Sequence, residues 1–230
     1  MTSSPVARRL AGFQAVRYGP HESVPTPENA AAQAATKPAA RPGDFILTHS
    51  TGIYGGLIRF GEALRYRGAN KVFAHWSHAA IFADESGNII EALGGVVQTR
   101  NISVYEGTEY VVVHLPAATS PVDREQAVGF AEFCLNDPYG WLTIVSISLC
   151  LLTGTKLSVG VDGQQICSAL VARSLERIGE IFTENEPWQL MPADLAKHFD
   201  VRLVGERGTV RRTDFGVISA SRLGRRRSRS

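Results

Sequence analysis

The stretch from Phe73 to Gly95 restricts the fold more than any other part of the chain. Phe73-Ala-His75-Trp76-Ser77-His78-Ala79-Ala80-Ile81-Phe82-Ala83 reads as one strand and Asn88-Ile89-Ile90-Glu91-Ala92-Leu93 as a second. Between them stands Asp84-Glu85-Ser86-Gly87, a cluster of turn formers, so the pattern predicts a β-hairpin. With Asp84 to Gly87 as a four-residue loop, Ala83 pairs with Asn88 and Ala80 with Glu91. Even positions of the first strand then share a face with odd positions of the second, and His78 and Glu91 become diagonal neighbours within side-chain reach. A five-residue loop without a bulge puts the same two side chains on opposite faces.

A second stretch carries the other half of the chemistry. Gln165-Ile166-Cys167-Ser168-Ala169-Leu170-Val171 follows the Gly-rich turn Val161-Asp162-Gly163. Leu170, Val171, Leu175 and Ile178 recur at helical spacing, with Arg173, Glu176 and Arg177 between them. Cys167 therefore falls at or near the first turn of a helix, where unpaired N–H groups and the helix dipole favour a thiolate. That makes it a candidate nucleophile, although a cysteine there also packs well as a small hydrophobe. A base with a carboxylate beside it is the arrangement that activates a thiol, which gives His78 and Glu91 their candidate roles.

His78 in Trp-Ser-His-Ala-Ala-Ile, Glu91 in Ile-Ile-Glu-Ala and Cys167 in Ile-Cys-Ser-Ala-Leu-Val, in that order, resemble the permuted NlpC/P60 superfamily. These are circularly permuted papain-like cysteine hydrolases, the YiiX-like proteins among them. The lecithin retinol acyltransferase relatives share the permutation, with a second His where this chain has Glu91. Arg41-Pro-Gly43-Asp44-Phe-Ile-Leu looks like the family's Gly-Asp opening strand, and Pro138-Tyr-Gly-Trp141 like its loop ahead of the Cys. Met191-Pro192-Ala193-Asp194-Leu195 looks like its Pro-x-Asp-Leu segment. The likeness covers roughly residues 41 to 200. It implies an α+β, permuted papain-like fold, an antiparallel sheet packed against the helix that bears Cys167. It implies a Cys167–His78–Glu91 triad, a thioacyl intermediate and no cofactor.

Composition bounds the remaining choices. Hydrophobic residues make up 44% of the chain and charged ones 20%, as in globular proteins. Cys134, Cys150 and Cys167 are odd in number and widely spaced, which argues against a disulfide framework and against a structural zinc site. The pair His75-x-x-His78 on a strand would turn its rings to opposite faces, so no metal is expected there either. The start of the chain shows Arg8-Arg9 but no apolar run after it, so no signal peptide is read. A cytoplasmic or phage-encoded protein is the expectation. The net charge is +2, and subtracting Arg222, Arg225, Arg226, Arg227 and Arg229 leaves about −3 for the rest. The Arg-rich end could meet anionic surfaces, but nothing predicts a specific nucleic-acid partner.

Along the chain, residues 1–40 read as a flexible leader, 41–204 as the catalytic domain and 205–230 as a polar Arg-rich tail. Phe45 to Thr48 is a buried strand, and Ile53, Leu57, Phe60 and Leu64 predict a helix up to Tyr66. His49 and Tyr54, near its start, are candidates to contact substrate or an oxyanion, as is Ser168, although capping or packing also explains the first two. Val96 to Val104 reads as an extended link to a strand from Tyr110 to Leu115, within which His114 is structural. Ser120-Pro121 starts a helix that runs from Asp123 to Leu135, with Ala127, Val128, Ala131, Phe133 and Leu135 inside. Leu142 to Leu152 is an apolar run too short to span a bilayer, a buried helix that could roof a hydrophobic pocket. Ala193 to Phe199 is a short helix begun by Pro192, and Val201 to Val204 a last strand.

The function expected is that of a thiol-dependent amidase or peptidase acting on a peptide-like substrate. A lipid acyltransferase or lipase on the same triad is the enzymatic alternative, with a lipid-like substrate. A non-catalytic binding module is the alternative from another class.

Overall fold

The hairpin turn forms because the Asp84 carboxylate bonds its backbone and Gly87 takes a conformation other residues avoid. In the computed structural model, which describes residues 12–27, 38–49, 66, 68–138, 166–182 and 190–202, Asp84 Oδ1 accepts from the N–H of Ser86 at 2.9 Å and of Asn88 at 3.1 Å. Gly87 has φ +85°, and a Cβ there would come within 2.9 Å of Ile102 Cγ2, so a side chain is excluded twice over. Ala83 N–H donates to Asn88 O at 2.8 Å, which closes the four-residue loop.

Six strands make one antiparallel sheet: β1 (Gln14–Tyr18), β2 (Phe45–Thr48), β3 (His78–Phe82), β4 (Asn88–Leu93), β5 (Val96–Asn101) and β6 (Tyr110–His114). Their order is β1-β6-β2-β3-β4-β5. The described helices are α1 (Pro121–Phe133), α2 (Cys167–Glu176) and α3 (Pro192–His198), so the class is α+β. Ile81 pairs with Ile90 and Phe82 with Ile89, the register of the four-residue loop. The first strand is shorter than its sequence suggested, because Gly68–Phe73 turns as a 3₁₀ helix before it.

Both faces of the sheet are buried, which is why β2, β3 and β6 read as nearly unbroken apolar runs. On one face Phe45, Leu47, Ala79, Ile81, Val111 and Val113 meet the helices through Ala127, Ala131, Leu170, Val171, Leu175 and Leu195. On the other, Ile46, Ala80, Phe82, Ile89, Tyr110 and Val112 pack with Tyr18, Val24, Ala40, Ile102 and Tyr105.

That second layer corrects, for residues 12–27, the reading of 1–40 as a flexible leader; 1–11 and 28–37 lie outside the described residues. Gln14 to Tyr18 pairs along β6, from Gln14↔His114 to Tyr18↔Tyr110, and forms the sheet edge. Tyr18 stacks on Tyr110 with ring centroids 5.1 Å apart. The Tyr110 hydroxyl donates to Glu22 O at 2.9 Å, tying down the segment that follows the strand. Burying Tyr18 and Val24 is worth roughly 2–3 kcal/mol for each side chain. The strand is only five residues long and lies beside a Pro- and Ala-rich stretch, whose composition hid it.

A second correction concerns Val96 to Val104. Gly94 and Gly95 have φ +69° and +106°, the left-handed pair that a two-residue hairpin turn needs. The chain therefore folds straight back, and Val96 to Asn101 pairs with β4 along its length. Only Ile102–Tyr105 leaves the sheet, as a 3₁₀ turn capped by Asn101.

Helix α1 starts where expected, with Ser120 Oγ accepting from Asp123 N–H at 3.1 Å and Pro121 in the first turn. It buries Arg124, Ala127, Val128 and Ala131, but Phe133 is 82% exposed. Position 133 lies two residues past Ala131, about 200° round the helix, so it faces away from the sheet. Val201 and Arg202 lie in no strand; Val201 is instead held by its N–H to Ala196 O at 2.7 Å. Tyr54, the helix from Ile53, Cys150, the run from Leu142 to Leu152 and residues 205–230 lie outside the described residues.

Candidate active site

The hairpin register delivers the first contact. His78 Nε2 and Glu91 Oε2 are 2.7 Å apart, and both residues are buried. His78 opens β3, where it pairs with Thr48 of β2. Two further side chains reach the carboxylate. The Tyr105 hydroxyl donates to the same Oε2, and Arg100 donates from its guanidinium to Oε1 at 3.2 Å. Ile89 pairs with Arg100 and Glu91 with Gln98, so Arg100 is Glu91's diagonal neighbour on one face.

Cys167 comes to this pair from the helix layer. It is the first residue of α2, which packs against β3 and β4. Ile166 is the N-cap and offers no side-chain acceptor, so the free N–H groups of the first turn are left for other partners. The thiol is hydrogen-bonded to His78 and receives the backbone N–H groups of Ala79 and Ser168. The strand geometry explains the Ala79 donor. Phe82 N–H points to Asp44 O at the β2 side, and Ala83 N–H to Asn88 O at the β4 side. Alternation aims the Ala79 N–H toward β4 as well. The β3–β4 ladder pairs only Ile81 and Phe82, next to the turn, so at Ala79 the sulfur takes a place that a β4 carbonyl would otherwise hold.

The electrostatics follow from these contacts. Burial pushes the Cys167 thiol up, but the His78 imidazolium, its hydrogen bond and the Ala79 and Ser168 N–H groups outweigh burial and hold the thiol below its ordinary range. Burial disfavours the His78 imidazolium, yet the Cys167 thiolate and the Glu91 carboxylate raise its pKa to about 10. Burial would raise Glu91, but His78, Tyr105 and Arg100 together keep it below the usual carboxylate range. These contacts all favour the thiolate, imidazolium and carboxylate forms of the three groups. Since Glu91 occupies Nε2, Nδ1 is the ring nitrogen left for the sulfur.

The other predicted residues divide. The Ser168 side chain is turned away: it is fully buried and its hydroxyl donates to Leu190 O, so only its backbone N–H serves the site. Of the two roles expected for Ser168, contact with substrate or with an oxyanion, the hydroxyl is thus taken up elsewhere and only the backbone N–H is left for either. His49 Nδ1 lies 2.9 Å from His75 O, and its ring stacks on His75 at 4.8 Å. His75 Nε2 is 3.6 Å from Glu109 Oε2, whose other oxygen holds Arg17 at 2.6 Å. His75 and His78 thus serve separate carboxylates. Among the described residues no three His, Cys, Asp or Glu side chains gather as a metal site.

Cys134, at the C-cap of α1, is a free buried thiol that burial and Asp137 push up to about 11. It is a poor nucleophile, and the contrast with Cys167 comes from its surroundings alone.

Tyr105, Arg100 and the Ala79 N–H were missed in the sequence. Gly94-Gly95 was the available signal for the first two: with β5 recognised, Arg100 falls on the face of Glu91, and the turn after β5 returns Tyr105 over it. No protein-family model matches this chain, and no curated protein matches it.

Proposed function

We propose that this protein is a cysteine hydrolase that cleaves an amide bond, with Cys167 as nucleophile, His78 as general acid and base, and Glu91 as the group that orients it. The observation that carries this is the hydrogen-bonded series from the Cys167 thiol through His78 to Glu91, with the sulfur at the start of α2. The thiolate adds to the substrate carbonyl. His78, already an imidazolium, gives its proton to the departing amine, and a thioester remains on Cys167. Neutral His78 then takes a proton from water as the hydroxide attacks the thioester, and the C–S bond breaks to release the carboxylic acid and restore the thiolate–imidazolium pair. An acid held protonated at neutral pH suits an amine, the poorest common leaving group of acyl transfer. Glu91 keeps the ring in place and favours its charged form. N–H groups at the start of α2 are the natural oxyanion donors.

The chain order His, Glu, Cys on an antiparallel sheet and a following helix supports a permuted papain-like arrangement of the NlpC/P60 kind. Among the described residues no helix is long and apolar enough to cross a membrane.

Mass spectrometry after incubation with a mixture of peptide vinyl sulfones and acyl electrophiles tests the proposal. The expected product is a single adduct on Cys167, lost in Cys167→Ala and strongly slowed in His78→Ala. Faster labelling of Cys134 would remove the nucleophile assignment and leave a binding module.

A further inference from the structure

Glu91 has more support than a partner for His78 requires. One of its oxygens, Oε2, lies 2.7 Å from His78 Nε2 and accepts from the Tyr105 hydroxyl, and the other faces Arg100. The tyrosine is held rigidly. Its 3₁₀ turn is capped by Asn101, and Ile102 N–H donates to Gly87 O at 2.8 Å, so the turn is docked on the hairpin loop that sets the register of His78 and Glu91. Thr108 ties it from the other side, with its N–H and its hydroxyl both on Tyr105 O. The Tyr105 ring also lies against the His78 ring, with centroids 6.1 Å apart.

This frame decides where the protons sit. A carboxylic acid protonated on Oε2 would donate to His78 Nε2, and the neutral imidazole would then carry its proton on Nδ1, the nitrogen that faces the sulfur. Such a ring cannot take the thiol proton. An oxygen that already accepts from Tyr105 O–H, beside a guanidinium on its sister oxygen, is held as an acceptor. Nε2 must then be the donor, and Nδ1 is left free to receive a proton from the thiol. Burial and the Glu91 charge push the Tyr105 phenol far above its ordinary pKa, so it stays a neutral donor.

Resting on the thiol hydrolase assignment, we propose that Tyr105 and Arg100 are positioning residues that fix the His78 tautomer by keeping Glu91 an ionised acceptor. Tyr105 supplies the directional part and Arg100, one-third exposed at the rim of the cluster, supplies charge.

The test is the pH profile of Cys167 alkylation by iodoacetamide in the full chain, read beside the melting temperature. Tyr105→Phe should move the profile toward the ordinary thiol value and slow alkylation at pH 7 on the order of tenfold, the weight of one hydrogen bond to a charged group. It should lower kcat on a cleavable substrate with KM unchanged. Arg100→Gln should act in the same direction, more weakly and only at low salt, and Arg100→Lys should restore the profile. A structural role would lower the melting temperature and leave the profile in place, and that result in both Tyr105→Phe and Arg100→Gln would overturn the proposal. A depressed profile in the unchanged protein that His78→Ala abolishes, with no response to Tyr105 or Arg100, defeats this inference alone. An ordinary thiol profile in the unchanged protein defeats the hydrolase assignment with it.

Discussion

The sheet holds two buried clusters of similar composition, and the contrast between them shows why only one of them is a candidate for chemistry. At one end of β2, Asp44 binds His114 Nδ1 at 2.7 Å and the Arg124 guanidinium at 2.8 Å. At the other end, beyond Thr48, Glu91 binds His78 at 2.7 Å and Arg100 at 3.2 Å. Both carboxylates are almost wholly buried and both are held below the ordinary range against the effect of burial. Asp44, however, also accepts from the backbone N–H groups of Arg41 and Leu115, each at 3.0 Å, and Arg124 donates to Pro42 O at 2.8 Å. That cluster ties the chain ahead of β2 to β6 and α1. Glu91 is held by side chains, and beyond its imidazole stands a thiol at a helix start. His114 Nε2 meets no hydrogen-bond partner among the described residues. Carboxylate, imidazole and guanidinium together therefore do not set the candidate site apart; what the second imidazole nitrogen meets does.

If this division is right, the two clusters should fail in different measurements. Asp44→Ala strands a buried guanidinium and imidazole and frees two backbone donors, and should cost about 3–5 kcal/mol of stability. For a chain of this size that is a fall in melting temperature of roughly 10 °C or more. Alkylation of Cys167 in the folded variant should keep its pH profile. His78→Ala should do the reverse. It removes the positive charge and the base together, so the Cys167 profile should rise toward the ordinary thiol value of about 8.5 and turnover should fall about 10²–10⁴-fold, while the fold survives. Calorimetry and alkylation on the same two samples give four numbers. A normal melting temperature in Asp44→Ala, or a shifted Cys167 profile in it, would show that the clusters are coupled.

Glu91→Gln should fall between these extremes. The amide keeps the shape and one hydrogen bond but loses the charge that favours imidazolium, so the thiol should titrate between its values in the unchanged protein and in His78→Ala. A glutamine also presents an N–H₂ group to one of its donors, which adds a repulsive contact with Tyr105 or Arg100. A drop of roughly tenfold to a hundredfold in turnover is expected. A titration and rate identical to those of the unchanged protein would deny Glu91 any part in the site.

Much of this site was legible because strand parity is a strict rule. Asp84-Glu-Ser-Gly87 offers a four-residue loop, and once the pairing of Ile81 with Ile90 decides for it over five residues, the register settles which side chains share a face. Cys167 was legible for a similar reason, since helical spacing from Leu170 to Leu175 dates the helix start. The Asp44 cluster was not. Asp44 read as part of a turn and His114 as a strand residue among valines, and only tertiary pairing of β2 with β6 sets them opposite each other. The edge strand from Gln14 was hidden for the same reason, because its partner lies some hundred residues away in sequence. Tyr105 was lost through a local error, the neglect of Gly94-Gly95 as a turn.

The smallest expected effect separates the clusters by pH. Consider the protons bound by Cys167 and His78. Below about pH 8.5 the unfolded chain keeps its proton on the thiol, while the folded chain favours the imidazolium that pairs with the thiolate. Above about 8.5 the unfolded thiol ionises, while folded His78 keeps its proton up to about 10. The folded state then binds the extra proton, so this contribution is lost as pH rises through that window, by about 1–2 kcal/mol in all. Cys134 adds to the same limb, because its folded pKa of about 11 also exceeds the unfolded value. The comparison must therefore be made in a Cys134→Ala background, where the alkaline loss should persist, and in the double variant with Cys167→Ser, where the thiolate is gone and it should disappear. Asp44 contributes in the opposite range. Its depressed pKa gives stability that is present above the unfolded carboxylate value of about 3.9 and lost as pH falls through the folded one, so Asp44→Asn should reduce the acid limb to the share that Glu91 supplies and leave the alkaline limb alone. Urea unfolding between pH 4 and 9, below the range in which the raised phenols of Tyr18, Tyr105 and Tyr110 add an alkaline loss of their own, measures both limbs. An alkaline limb that survives Cys167→Ser in the Cys134→Ala background would mean that His78 does not share its charge with the sulfur, and the difference drawn between the two clusters would then vanish.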